Sequence, residues 1–124
     1  MNYLLDTHVI LWWLTTPEKI KTKARHIIQD RSNQIFVSSA SCWEMAIKKS
    51  IGKLTLPHNL LETIATNFKF LPILPDEALG VADLPFLHAD PFDRLLIMQA
   101  KLHDLIIITN DSKIITYPVV VVEA

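Results

Sequence analysis

The sequence predicts an α/β fold: a three-layer α/β/α sandwich around a central, mostly parallel, five-stranded sheet. Three observations carry that prediction. Short apolar runs alternate with amphipathic stretches along the whole chain. The runs YLL, IFV, IIIT and VVVV are apolar at successive positions rather than at every second one, as expected of parallel strands covered on both faces. Right-handed crossovers between such strands then place helices in two outer layers. A length of 124 residues suits a single domain, residues 1–124, able to bury roughly two thirds of its unfolded surface without a staple.

The elements follow in order. Tyr3–Leu5 is a first strand ending at Asp6. Thr7–Leu14 is a first helix with Val9, Ile10, Trp12 and Trp13 on a broad apolar face, and Pro17 breaks it. Lys19–Asp30 is a second helix, basic and amphipathic, turning Ile20, Ala24, Ile27 and Ile28 inward. Gln34–Val37 is a second strand. Ser38 and Ser39 offer capping hydroxyls to a third helix that runs to Ser50 and stops at Gly52. Pro57 opens a fourth, His58 to Asn67, with Leu60, Leu61 and Ile64 inward. Phe70–Leu74 is a third strand, and Pro75 begins a fifth helix, Asp76 to Ala82. Asp90 and Pro91 open a sixth helix that ends at His103. Leu105–Thr109 and Val119–Val122 are the last two strands.

Composition bounds the function. Half of the residues are hydrophobic and a fifth are charged, which is a globular balance. A formal net charge of −1 argues against a tight, purely electrostatic nucleic-acid binder but leaves room for an enzyme that holds nucleic acid briefly. Charge is uneven along the chain. Eight of twelve basic residues lie between Lys19 and Lys53, and acids crowd the second half, which suggests a basic face beside an acidic site. The lone Cys42 excludes an internal disulfide and a thiolate zinc site, and suits a reducing cytoplasm. No apolar segment is long enough for a membrane helix and the N-terminus lacks a signal-like basic region, so a soluble, unprocessed, cytoplasmic chain is expected. With only Gly52 and Gly80, there is no Gly-rich phosphate loop.

In doubly wound sheets ligands bind beyond the carboxyl ends of the strands. Asp6 ends the first strand and Asp111 follows the fourth in IIITND. Asp93 lies in the first turn of the helix feeding that fourth strand, and Glu44 lies within the helix after the second. Each has a plainer explanation. Asp6 and Asp111 can cap helices, a device contributing about 1 kcal/mol. Asp90 at the N-cap, Pro91 and Asp93 make a favourable helix start, and capping is the preferred role for Asp90. Glu44 can pair with Lys48 at i+4, although it borders the inward stripe Ala40–Trp43–Ile47. Capping explains four acids at one end of one sheet less well than it explains each alone. Two carboxylates about 5 Å apart repel by roughly 3 kcal/mol at an effective dielectric near 20, so such a cluster holds protons or a cation. Oxygen-only ligation is the Mg²⁺ or Mn²⁺ pattern. Such an ion activates water and neutralises charge on a phosphate, which suits phosphodiester hydrolysis. Thr109 is placed to orient a carboxylate. His8 and His88 are open between ligand, substrate contact and structural roles, and Thr7, Asp90 and Arg94 complete the supporting set.

In order, LLDTHVILWWL, SSASCWEMAIKKSIGKL, HADPFDRLLIMQAK and IIITND closely resemble the PIN domain, and within it the VapC-type toxins of bacterial toxin–antitoxin pairs. The resemblance spans essentially the whole chain. It implies a PIN-like sheet of order 3-2-1-4-5 and an Mg²⁺- or Mn²⁺-dependent endoribonuclease acting on RNA. It carries the acidic cluster onto Asp6, Glu44, Asp93 and Asp111, with Thr109 as the accompanying hydroxyl. It also implies a small antitoxin partner that lays a segment across the acidic mouth, and a homodimer, to which the apolar faces around Trp12 and Trp13 contribute unless they are core. There are departures: His8 stands where Asn or Ser is frequent, Asn110 where Arg is common, and Met98 where a small residue is usual. None removes an acid.

Two other readings remain. A phospho-acceptor signalling module also gathers acids at strand ends, but it wants adjacent acids after the first strand and a lysine after the last, and neither LLDTH nor VVVVEA supplies them. A catalytically inactive PIN-like RNA-binding module is the other, against which the complete acid set speaks.

Overall fold

Strands β1 (Asn2–Leu5), β2 (Gln34–Ser38), β3 (Lys69–Leu71), β4 (Ile106–Thr109) and β5 (Val121–Glu123) form one sheet in the order β3-β2-β1-β4-β5. All neighbouring pairs are parallel. The computed structural model describes residues 1–124. Helices α1 (Thr7–Thr15), α2 (Thr22–Gln29), α3 (Ser39–Ser50), α4 (Leu60–Asn67), α5 (Pro75–Gly80), α6 (Pro91–His103) and α7 (Ser112–Ile115) make the connections. None is long and apolar enough to cross a membrane.

The central strands β1 and β4 are apolar over most of their length because both faces are covered, whereas the edge strands β3 and β5 expose Lys69 and Glu123. Tyr3 and Leu5 of β1 join one core cluster with Ile108, Val9, Ile10, Ala24, Ile28 and Ile64. Leu4, between them, points the other way and joins Ile107, Leu96, Ile97 and Ile114. Both faces of β1 therefore exclude water, and a polar residue on either would lose its hydration. Trp12 and Trp13 pack half-buried against the first cluster, and Trp13 meets Phe68 edge-on with centroids 6.0 Å apart.

Several boundaries differ from the sequence expectation. The second helix begins at Thr22, not Lys19: Pro17–Lys19 form a 3₁₀ turn and Ile20 is extended, with φ −82° and ψ 131°. Burial of Ile20, 1% exposed, anchors that break. The fourth helix starts at Leu60 after a turn, and Leu61 faces solvent rather than the core. The third strand covers Lys69–Leu71 instead of Phe70–Leu74, because Pro72 has no N–H to extend the ladder. The fifth helix ends at Gly80, followed by a 3₁₀ turn over Val81–Asp83. Asp104, at φ 54°, reverses the chain after α6 in the left-handed region, and the N–H of Leu105 donates to the Ala100 carbonyl at 2.9 Å. Gly52 ends α3 at φ 77°, a conformation that favours glycine.

A buried polar network joins β2 to α5 and α6. Ser38 Oγ accepts from the Ala40 N–H at 3.0 Å and donates to Gln99 Oε1 at 2.5 Å. The Gln99 amide donates to the Pro72 carbonyl and to Glu77 Oε1, at 3.2 and 3.3 Å. Glu77, 1% exposed, reaches back to the Leu74 N–H at 2.9 Å and pairs with the His103 ring. Burial alone would raise the Glu77 pKa, but the Leu74 N–H, His103 and Gln99 outweigh it and hold the carboxyl below its ordinary value. Its contribution to stability is therefore present above about pH 4.5 and is lost as pH falls through the folded-state value. Glu77→Ala leaves these donors unmatched and is expected to cost about 2–3 kcal/mol at pH 7. Urea denaturation checks this; a change below about 0.5 kcal/mol would remove the network from the stability account.

Candidate active site

The opening apolar run delivers Asp6 to the carboxyl end of β1. Its N–H still donates to the Ile108 carbonyl at 3.0 Å, so the ladder persists up to the acid. Asp6 then occupies the N-cap position of α1 with extended backbone, φ −65° and ψ 149°, and its carbonyl accepts from the Ile10 N–H. Its side chain does not cap that helix. Instead Oδ2 accepts a hydrogen bond from Thr109 Oγ1 at 2.7 Å, and the residue is 2% exposed. Capping alone does not account for this carboxylate.

Thr109, at the end of β4, links two acids. Its hydroxyl donates to Asp6 and accepts from the Asp111 N–H at 3.0 Å. Asp111 does two jobs: Oδ1 caps α7 through the Lys113 N–H at 2.8 Å, and Oδ2 lies 3.4 Å from His88 Nε2. Asp90 caps α6 as expected, Oδ1 accepting from the Phe92 and Asp93 N–H groups at 2.9 and 3.0 Å. That capped turn points Asp93 inward, where Oδ2 lies 2.7 Å from His88 Nε2. His88, Asp93 and Asp111 each offer a ligand atom, all within 4.8 Å of one another.

Glu44 comes from the inner side of α3. Oε2 pairs with Lys48 Nζ at 3.0 Å, while Oε1 is buried with no partner, the only side-chain polar atom so placed. A buried carboxylate oxygen without a donor is costly unless something cationic approaches it.

Electrostatics tie the four acids together. Burial raises the Asp6 pKa above its ordinary value; the Thr109 hydrogen bond and His8 partly oppose this, and the charges of Asp111 and Glu44 add to it. Asp93 is pushed up to about 7, first by burial, then by Asp6 and Asp90, with His88 opposing. Asp6 therefore lies within reach of the charges of Glu44, Asp93 and Asp111. A donor set made mostly of carboxylates, the disfavoured ionisation of Asp6 and Asp93, and the orphaned Glu44 Oε1 together fit a hard, oxygen-seeking divalent cation.

Other candidates lie around this centre. Thr7 Oγ1 donates to Ser41 Oγ at 2.9 Å, tying α1 to α3. His8 is exposed at the rim. The Arg94 guanidinium turns away from the acids to the Pro85 and Val81 carbonyls and to the Tyr117 hydroxyl, at 3.1, 3.0 and 3.2 Å. Tyr117 was not legible as a site residue: its hydroxyl also accepts from the Leu87 and His88 N–H groups at 3.0 and 2.9 Å. Its only local mark is a lone tyrosine in an apolar stretch. Trp43 and Phe92, the chain neighbours of Glu44 and Asp93, meet edge-on at 5.2 Å. They line a 240 Å³ apolar cleft with Ala78, Val81, Pro91 and Leu95. The largest concavity, 420 Å³, lies near Asn33 and Ile35, at the other end of β2, away from the four acids.

Comparison with known proteins finds the same fold. The model of the PIN domain family matches residues 3–119. Ribonuclease VapC22 of Mycobacterium tuberculosis (strain ATCC 25618 / H37Rv) is 28% identical over 115 residues, covering 90% of this chain and 88% of that one. The crystal structure of VapBC2 from Rickettsia felis, bound to a DNA fragment from their promoter, superposes with a TM-score of 0.75 at 16% identity, over 99% of this chain and 98% of that one. DNA-bound VapBC from Salmonella typhimurium gives 0.72 at 15% identity, over 99% and 98%.

Proposed function

The chain belongs to the PIN-domain family, and from that premise we propose that it is an Mg²⁺- or Mn²⁺-dependent endoribonuclease, the toxin of a toxin–antitoxin pair. The carrying observation is that Asp6, Glu44, Asp93 and Asp111 lie at one end of the sheet, the first three buried, with the ionised forms of Asp6 and Asp93 disfavoured.

In this reading the four carboxylates hold the ion. When bound, it supplies Lewis-acid chemistry for phosphodiester hydrolysis, lowering the pKa of water and neutralising charge on the phosphate. The chain does the rest. The Thr109 hydroxyl fixes the orientation of Asp6 and, through the Asp111 N–H, the start of the loop that carries the last acid. Asp90 fixes the turn that aims Asp93. Lys48 balances Glu44 and, one third exposed, is free to attract an RNA phosphate. Lys49 and Lys53 continue that basic edge.

The partners follow from the same reading. VapBC complexes are among the solved structures of the same fold, one of them a member of the VapBC family of toxin–antitoxin systems, and a small antitoxin bearing a basic side chain is suited to covering this acidic mouth. A homodimer acting in the cytoplasm belongs to the same proposal. Purified protein is expected to cleave single-stranded RNA with Mg²⁺ or Mn²⁺, to stop with EDTA, and to recover when the metal is restored. RNA left intact under all metal conditions would overturn the proposal, and cleavage that persists in EDTA would overturn its metal dependence.

A further inference from the structure

His88 stands at a defined point between two acids. Its Nε2 is 2.7 Å from Asp93 Oδ2 and 3.4 Å from Asp111 Oδ2. Its Nδ1 accepts from the Asp90 N–H at 3.4 Å, so Nδ1 carries the lone pair and Nε2 carries the proton. A protonated ring nitrogen donates to a carboxylate; it does not ligate a cation.

The ring is held there from behind. The His88 and Leu87 N–H groups both donate to the Tyr117 hydroxyl, at 2.9 and 3.0 Å. Arg94 clamps the same segment, donating to Tyr117 and to the Val81 and Pro85 carbonyls, with its guanidinium over the Phe86 ring at 5.0 Å. Arg94 and Tyr117 are both buried. Neither side chain hydrogen-bonds to the four acids, yet together they fix the loop that ends in His88.

We propose that His88 is a positioning residue: its Nε2–H donates to Asp93 Oδ2 with Asp111 Oδ2 3.4 Å away on the same ring edge, holding two mutually repelling carboxylates where both can serve one divalent ion, and the Arg94–Tyr117 clamp keeps the ring in place. This rests on the metal-dependent reading above. Carboxylates that ligate metals are commonly oriented by such outer hydrogen bonds, whose loss costs about 10–100-fold in metal affinity.

The test is Mn²⁺ binding to the full chain by calorimetric titration, with RNA cleavage followed in parallel. His88→Leu is expected to weaken Mn²⁺ binding about 10–100-fold and to raise the Mn²⁺ concentration needed for half-maximal rate, leaving KM for RNA unchanged. His88→Gln returns an N–H donor and is expected to stay within about threefold of wild type. Circular dichroism reports folding, and His88→Asn, too short to bridge, replaces the leucine variant if that one does not fold. His88→Leu binding Mn²⁺ as tightly as wild type would overturn the proposal. So would His88→Gln losing as much as His88→Leu, which would make the imidazole itself the ligand. Wild-type protein that neither binds Mn²⁺ nor cleaves RNA would instead sink the functional reading beneath it.

Discussion

Asp6→Asn is expected to abolish RNA cleavage, lowering kcat by about 10³-fold or more, and at the same time to stabilise the metal-free protein at pH 8. The two effects have one cause. Asp6 is buried among Glu44, Asp93 and Asp111, and its ionised form is disfavoured first by lost hydration and then by its neighbours. An amide keeps the shape and still accepts from Thr109, but it carries no charge to repel Asp93 or to bind a cation. Sites of this kind trade stability for function. Thermal denaturation in EDTA, beside a cleavage assay, reads both effects. Undiminished cleavage would remove Asp6 from the site. Lost cleavage with a lower melting temperature would make it a structural carboxylate.

The second large effect is a pH dependence that metal reverses. Asp93 is held near 7 in the folded protein, against about 3.9 in an unfolded chain. Between those values the folded state holds a proton that the unfolded state has released, so stability falls as pH rises from about 4 to 7. Asp6, raised as well, acts in the same sense. Glu77 acts oppositely, losing its contribution below about pH 4.5 because its folded pKa is depressed. The metal-free protein should therefore be most stable near pH 5. Discounted for solvent screening, the loss between pH 5 and pH 8 is about 2 kcal/mol. A divalent ion requires the ionised carboxylates, so Mg²⁺ or Mn²⁺ should raise the melting temperature more at pH 8 than at pH 5. Denaturation at both pH values, with EDTA or metal, measures this. Asp93→Asn should flatten both dependences. A metal-free wild type that gains stability from pH 5 to pH 8 would contradict the account.

Much of the fold was legible because its signals are local. YLL and IIIT are apolar at successive positions because their alternate side chains enter two cores. Asp90 and Pro91 announce the start of α6, and the capping geometry is present in the structure. The boundaries that moved were decided by less local events: burial of Ile20 broke the second helix, and Pro72 shortened the edge strand. For the candidate site, the strand-end positions of Asp6 and Asp111 could be read from register. Whether Asp6 caps α1 could not, because that depends on Thr109, which lies 103 residues away.

By itself, the sequence determined the layered α/β architecture, the strand ends at which acids emerge, and the oxygen-rich chemistry those acids can share. Spacing and hydropathy act over a few residues, so they are readable without a fold. Tertiary structure alone decided that Asp111 both caps and faces His88, that Arg94 braces a loop instead of facing the acids, and that Tyr117 anchors the backbone of Leu87 and His88. It also left Glu44 Oε1 buried without a partner. Hydrogen bonds and carboxylate repulsion act over a few ångströms in space, and residues that close are set by the folded chain rather than by their separation along it.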